Sequence, residues 1–121
     1  MRLRRNKLAE YQHCALEQKK DNEGGTYTEY GPPSSFLAEM WAAGGKLQAE
    51  MYSTRLPNIR NLRLAGTYEE ISGKGGKLLY AVKDGPTIGV NDGICLYGGT
   101  PDYRVTAIYP YRFLTLEVEK L

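Results

Sequence analysis

The chain has little of what most catalytic and metal-binding proteins use, with one His and two Cys among its 121 residues. A structural zinc site needs four ligands, and His13, Cys14, Cys95 and scattered carboxylates form no ligand spacing of that kind. Neither cysteine belongs to a C-x-x-C pair, so two free thiols in a reducing compartment are expected. Long hydrophobic runs are absent too. No apolar stretch approaches the ~18 residues of a transmembrane helix, and no hydrophobic segment follows the basic start MRLRRNK, so neither a membrane span nor a secretory signal is expected. An excess of one charge is also missing: 16 basic against 14 acidic residues leave a net charge of +2. That balance gives no global field with which to argue for nucleic acid or a membrane surface.

What is present is tyrosine, 10 of them against 2 Phe and 1 Trp. Tyrosine suits strand surfaces where the ring is buried and the hydroxyl stays wet, and it is favoured at protein interfaces. Hydrophobic content of 41% and charged content of 25% are ordinary for a globular domain. The length fits one domain with a core that needs no staples.

Strand patterning is strongest at the C-terminus, YRVTAIYPYRFLTLEVEKL. Tyr103, Val105, Ala107 and Tyr109 fall on one side of an extended segment, with Arg104, Thr106 and Ile108 on the other. After Pro110, Leu114, Leu116 and Val118 alternate with Thr115, Glu117 and Glu119, so an antiparallel closing hairpin is expected. Its acidic face reads as solvated. Earlier in the chain, residues 8 to 19 fit a short helix or a strand, and a strand from about Tyr11 is favoured. The turn Asp21-Asn22-Glu23-Gly24-Gly25 and the run Thr26 to Tyr30 behind it make a hairpin. Phe36 to Ala42 reads as a core strand stopped by Gly44-Gly45, and Asn58 to Leu64 as another. Thr67 to Ile71 and Lys77 to Val82 flank a glycine-rich tip, and Thr87 to Val90 and Ile94 to Tyr97 are further short strands. Seven to nine short strands at this spacing predict a mainly β fold, a small antiparallel β-barrel or sandwich with long loops and at most one or two short helices. Residues 1–10 read as a basic N-terminal arm and 11–121 as a single β-barrel domain.

Chemical motifs are lacking. His13 and Cys14 are adjacent, but neighbours on a strand point to opposite faces and cannot share a proton. No glycine pair fits a phosphate-binding loop. No catalytic, cofactor or metal residues are assigned, and the chain is not expected to be an enzyme. Candidate partner-binding residues lie in two places. The arm carries Arg2, Arg4 and Arg5, able to meet phosphate, an acidic partner or only water. The segment 44–58, opened by two glycines and closed near Pro57, holds the helix-prone KLQAEMY, too short to be stable alone. It should be mobile in the free protein, and it displays Leu47, Met51, Tyr52 and Leu56 among charged neighbours such as Arg55. Leu47 and Met51, four apart, fit equally a short lid packed on the barrel.

Taken in order, Asp21-Asn22-Glu23-Gly24-Gly25, Leu37-Ala38-Glu39-Met40-Trp41, Gly45-Lys46-Leu47-Gln48-Ala49-Glu50, Ile59-Arg60-Asn61-Leu62-Arg63, Asp92-Gly93-Ile94, and Asp102-Tyr103-Arg104-Val105 with Ile108 resemble the head-tail adaptor family of long-tailed bacteriophages. Members are also called head-closure, head-tail joining or stopper proteins. The resemblance implies a small β-barrel that assembles as a ring at the head-tail connector, touching the portal or adaptor ring on one side and tail proteins on the other. DNA would pass through the channel without sequence-specific binding. It also implies a virion protein made in the host bacterial cytoplasm, with no cofactor and no membrane partner. Gly66 to Gly89 departs from the family pattern as an extra hairpin, which leaves room for a related minor capsid or tail-completion role. The alternative from a different class is a small nucleic-acid-binding β-barrel, with the arm touching phosphates and exposed tyrosines stacking on bases.

Overall fold

The computed structural model describes residues 8–42, 50, 54, 58–73 and 76–121. Eleven strands follow one another: β1 (Leu8–Cys14), β2 (Leu16–Lys20), β3 (Thr26–Tyr30), β4 (Ser34–Ala42), β5 (Ile59–Leu64), β6 (Tyr68–Ser72), β7 (Leu78–Val82), β8 (Thr87–Ile88), β9 (Gly93–Cys95), β10 (Tyr103–Pro110) and β11 (Leu114–Lys120). Six of them close into a barrel in the order β1-β4-β5-β11-β10-β9. The fold is therefore mainly β, with an antiparallel barrel as its body. The strand count exceeds the expected seven to nine partly because the run from Leu8 to Lys20 is broken at Ala15. There the chain leaves the barrel as β1 and re-enters pairing as β2, in a separate two-stranded sheet with β3.

β1 begins at Leu8 rather than Tyr11, and its pairing with β4 runs from Leu8 opposite Glu39 to His13 opposite Ser34. Residues 8–10 thus belong to the barrel wall and not to an arm. Their alternation of Leu, Ala and Glu is too short to separate strand from coil in sequence alone, and pairing with β4 decides it.

Inside the barrel, Ala38, Leu62, Leu64, Ile94, Val105, Leu114, Leu116 and Val118 form a continuous buried cluster with Phe36 and Tyr103. Register explains which side chains reach it. Met40 lies opposite Leu62 and Ala38 opposite Leu64, while Leu62 faces Leu116 across the next pair, so all point inward together.

The closing hairpin differs from its expected patterning at one point. Val105 pairs with Val118, but Ala107 pairs with Glu117 and Ile108 with Leu116, an irregularity that inserts Thr106 as an extra residue. A bulge of one residue moves everything beyond it to the other face. Ile108 therefore packs on the core, and Tyr109 faces outward with Ala107. The Tyr109 hydroxyl donates to Glu117 Oε1. Glu117 is only 4% exposed, so the acidic face expected to be solvated is buried at this position. Ile59, Asn61 and Thr115, which share that outer face by register, are buried with it.

The segment 66–89, expected as an extra hairpin, is a three-stranded sheet in the order β6-β7-β8. Its hairpin register runs from Tyr68 opposite Val82 to Ser72 opposite Leu78. Tyr80 and Ile88 belong to the barrel core itself, with Tyr68 and Val82 packed against it. The sheet is a plug for one end of the barrel.

Candidate interaction surface

Strand order sorts the chain into two barrel ends. At one, here the lower end, β1 begins, β4 stops at Ala42, β5 starts at Ile59 and β11 finishes at Lys120. At the upper end sit the β2–β3 hairpin, the β6–β8 sheet and the 111–113 turn. The sequence-nominated partner residues Arg2, Arg4, Arg5, Leu47, Met51, Tyr52, Arg55 and Leu56 lie outside the described residues. Of the segment 44–58, only Glu50, Thr54 and Asn58 are described. What the topology does give is their points of attachment. The arm joins at Leu8 and the 44–58 connection at Ala42 and Ile59, all at the lower end.

The lower mouth is lined by polar and aromatic groups. Arg60 lies on the inward-facing register of β5, beside Val118 and Ala42 in its pairings. Burial pushes the Tyr103 phenol above its ordinary pKa, a rise opposed by the Arg60 charge. Tyr97 is 67% exposed and meets Tyr103 edge-on at 6.1 Å between ring centres. The loop that carries it is held by Asp102, whose carboxylate accepts the backbone N–H of Leu96 at 2.8 Å and of Tyr97 at 3.0 Å. On the outer face, the Arg63 guanidinium sits 5.0 Å from the centre of the half-exposed Trp41 ring.

The upper end is joined to the barrel by a buried hydrogen-bonded cluster around Asp92. His13 Nε2 lies 2.7 Å from Asp92 Oδ2, both residues 3% exposed. The same carboxylate accepts Gly89 N–H at 2.8 Å and Leu16 N–H at 3.1 Å. Burial acts to raise the Asp92 pKa, but these three donors favour the ionised form and hold it below its ordinary value. An ionised carboxylate only accepts, so His13 Nε2 carries the proton. His13 pairs with Ile94 and Ser34, placing it with the inward-facing residues of β1. Cys14 points to the opposite side, as expected of strand neighbours, and the two form no dyad.

Cys14 instead lies beside Cys95 on the outer face of β1 and β9, and both thiols are free and buried. Burial first, then the neighbouring Cys14, pushes the Cys95 pKa up to about 11. A thiol held protonated in this way is a poor nucleophile. The cover over this face comes from close packing at Gly93: a Cβ there would stand 2.8 Å from Pro101 and 2.9 Å from the Tyr30 ring. Glycine is what lets the loop and the hairpin base sit down on β9.

Among the described residues, no three His, Cys, Asp or Glu side chains group as a metal would require. Between the start of β4 and the β6–β8 sheet runs a groove of about 320 Å³ walled by Phe36, Leu37, Ala65 and Val82, with Lys83 and Asp84 on its rim. It contains neither histidine nor cysteine. The surface features that stand out are strand edges. Among the described residues, β2 and β3 pair only with each other, and β6 pairs only with β7. Sequence reading found the strands but missed Asp92 and Asp102, which it took for turn residues. The available signal was a lone histidine in a strand, which when buried requires a carboxylate or carbonyl partner. No protein-family model, no curated protein and no solved structure matches the chain.

Proposed function

We propose that the protein is a structural component of a phage virion, joining the portal or adaptor side of the head to the tail as one subunit of a ring. One observation carries this reading: a closed barrel bears, at its upper end, two sheets whose outer strands have no partner among the described residues. Barrels remove strand edges, and a chain that closes one and then leaves edges free beside it presents surfaces for other chains. At the opposite end the barrel wall begins at Leu8, breaks between Ala42 and Ile59 and presents Arg60, Tyr97 and Tyr103, so the two ends differ, as a joint between two assemblies needs. The sequence resemblance to head-tail adaptors supplies the identity of those assemblies. In this role the chain needs no catalytic group.

The test is co-sedimentation with a purified portal complex. A connector subunit travels with the complex in a fixed ratio and saturates, whereas a bystander stays in the supernatant.

The nucleic-acid reading has one observation in its favour, the Arg63–Trp41 stack on the outer face of β4 and β5, a pairing that single-strand binders use. Titrating DNA binding against salt separates the readings. A binder that neutralises phosphates loses affinity steeply as salt rises; the connector reading expects weak binding.

A further inference from the structure

We infer that the outer edge of β2 in one copy of this chain pairs with the outer edge of β6 in the next, a head-to-tail strand junction that carries the ring. The inference rests on the ring reading above and names the surfaces that would build it.

Hydrogen-bond phase identifies what each edge offers. At the two ends of the β2–β3 hairpin, Asp21 N–H donates to Gly25 O and Gly31 N–H to Ala15 O. Alternation between these points turns Glu17 and Lys19 toward β3 and leaves the backbone of Gln18 and Lys20 pointing away from it. In the other sheet, Lys83 N–H donates to Thr67 O and Gly73 N–H to Lys77 O. There Glu69 and Ile71 are turned toward β7, and Tyr68, Glu70 and Ser72 present their backbone groups outward. Each edge strand is five residues long.

Charge selects the pairing. β6 carries Glu69 and Glu70 and no basic residue, whereas β2 carries Lys19 and Lys20 with Glu17. β3 carries only Glu29 and would meet β6 with like charge. Successive strand residues point to opposite faces, so β2 shows a lysine on each face and β6 a glutamate on each face. An antiparallel junction with Lys20 opposite Glu70 brings two outward-turned backbones into register and sets that lysine against that glutamate; on the other face Lys19 stands diagonal to Glu69, which Asp21 of the turn directly faces. Lys19 is held within its own hairpin by Glu29 at 2.9 Å, while Lys20 makes no ion pair among the described residues. The hairpin also needs such a neighbour: two strands alone are marginal in water, and beyond its base it projects Tyr27, 45% exposed.

Because the two edges are different surfaces of one molecule, the contact is heterologous and propagates into a ring or a filament. The copies of this chain are therefore both donor and acceptor, and charge reversal has a specific signature. Sedimentation velocity of the full chain at low salt, up to about 1 mM protein, covers the range of weak contacts. Wild type is expected to associate with rising concentration. Lys20→Glu and Glu70→Lys, each melting like wild type, are expected to weaken association roughly tenfold. An equimolar mixture of the two restores it, since every junction in an alternating assembly is again a glutamate facing a lysine. Single variants that associate as wild type does would overturn the edge junction and leave the ring reading standing. A mixture that stays as weak as its components also overturns the junction. Wild type that remains monomeric throughout would overturn the junction, and wild type that also stays off a portal complex would remove the ring reading with it.

Discussion

The 2.7 Å contact between His13 and Asp92 joins the end of the first barrel strand to the turn that precedes β9. Through the same carboxylate it also holds the start of β2 and the end of the β8 segment. Four pieces of chain that the sequence separates are thus fixed around one buried negative charge. Asp92→Ala would leave the His13 ring and two backbone N–H groups without acceptors, and it is expected to cost about 3 kcal/mol. Urea unfolding with matched slopes measures the loss.

Acid stability follows from the same group. The Asp92 carboxyl is lower in the folded chain than in the unfolded one, so its contribution is fully present above the unfolded value near 4 and is lost as pH falls through the folded value. Folding stability attributable to it should be level through neutral pH and decline below about pH 4. Asp92→Asn should lower the plateau and flatten that acidic limb; an unchanged limb would show that other carboxylates set it.

The two upper sheets should respond oppositely to damage. Ile88 is fully buried in the barrel core, so Ile88→Ala is expected to cost roughly 3 kcal/mol. Replacing residues 18–28 by a short turn removes only strands that pair with each other, and the barrel should melt within a few degrees of wild type. A hairpin deletion that unfolds the barrel would contradict the division between plug and projection.

The thiols should be silent. With Cys95 raised to about 11 and both sulfurs buried, alkylation at neutral pH should be slow in the native chain and immediate in urea. Cys14→Ala should cost on the order of 1 kcal/mol and change no binding readout. Gly93→Ala is the harsher change on this face, expected at roughly 2 kcal/mol, because Pro101 and Tyr30 leave no room for a methyl.

Sequence patterning was a good guide wherever one strand face is buried and the period stays at two. β11 follows its apolar alternation, with Leu114, Leu116 and Val118 in the core, and the Asp21 to Gly25 turn closes its hairpin through Asp21 Oδ1, which accepts Glu23 and Gly25 N–H. It failed where a tertiary event changes the phase. The bulge at Thr106 cannot be seen in YRVTAIYP, because Ile108 and Tyr109 are equally good strand residues on either face. The burial of Glu117 was hidden for a related reason: a carboxylate two residues from another reads as solvated until the bulge brings the Tyr109 hydroxyl to it. Asp92 was illegible because Asn91-Asp92-Gly93 satisfies every local rule for a turn, and its partner His13 lies in the first strand. The partner surface is the least legible part. Edges become visible only when the strand order shows which strands lack a second neighbour.

The most direct test of the connector reading is particle mass and negative-stain shape, recorded with and without a purified portal complex. The account predicts small particles alone and an added ring of density at one end of the portal when the two are mixed. A portal that stays bare at saturating protein would contradict it.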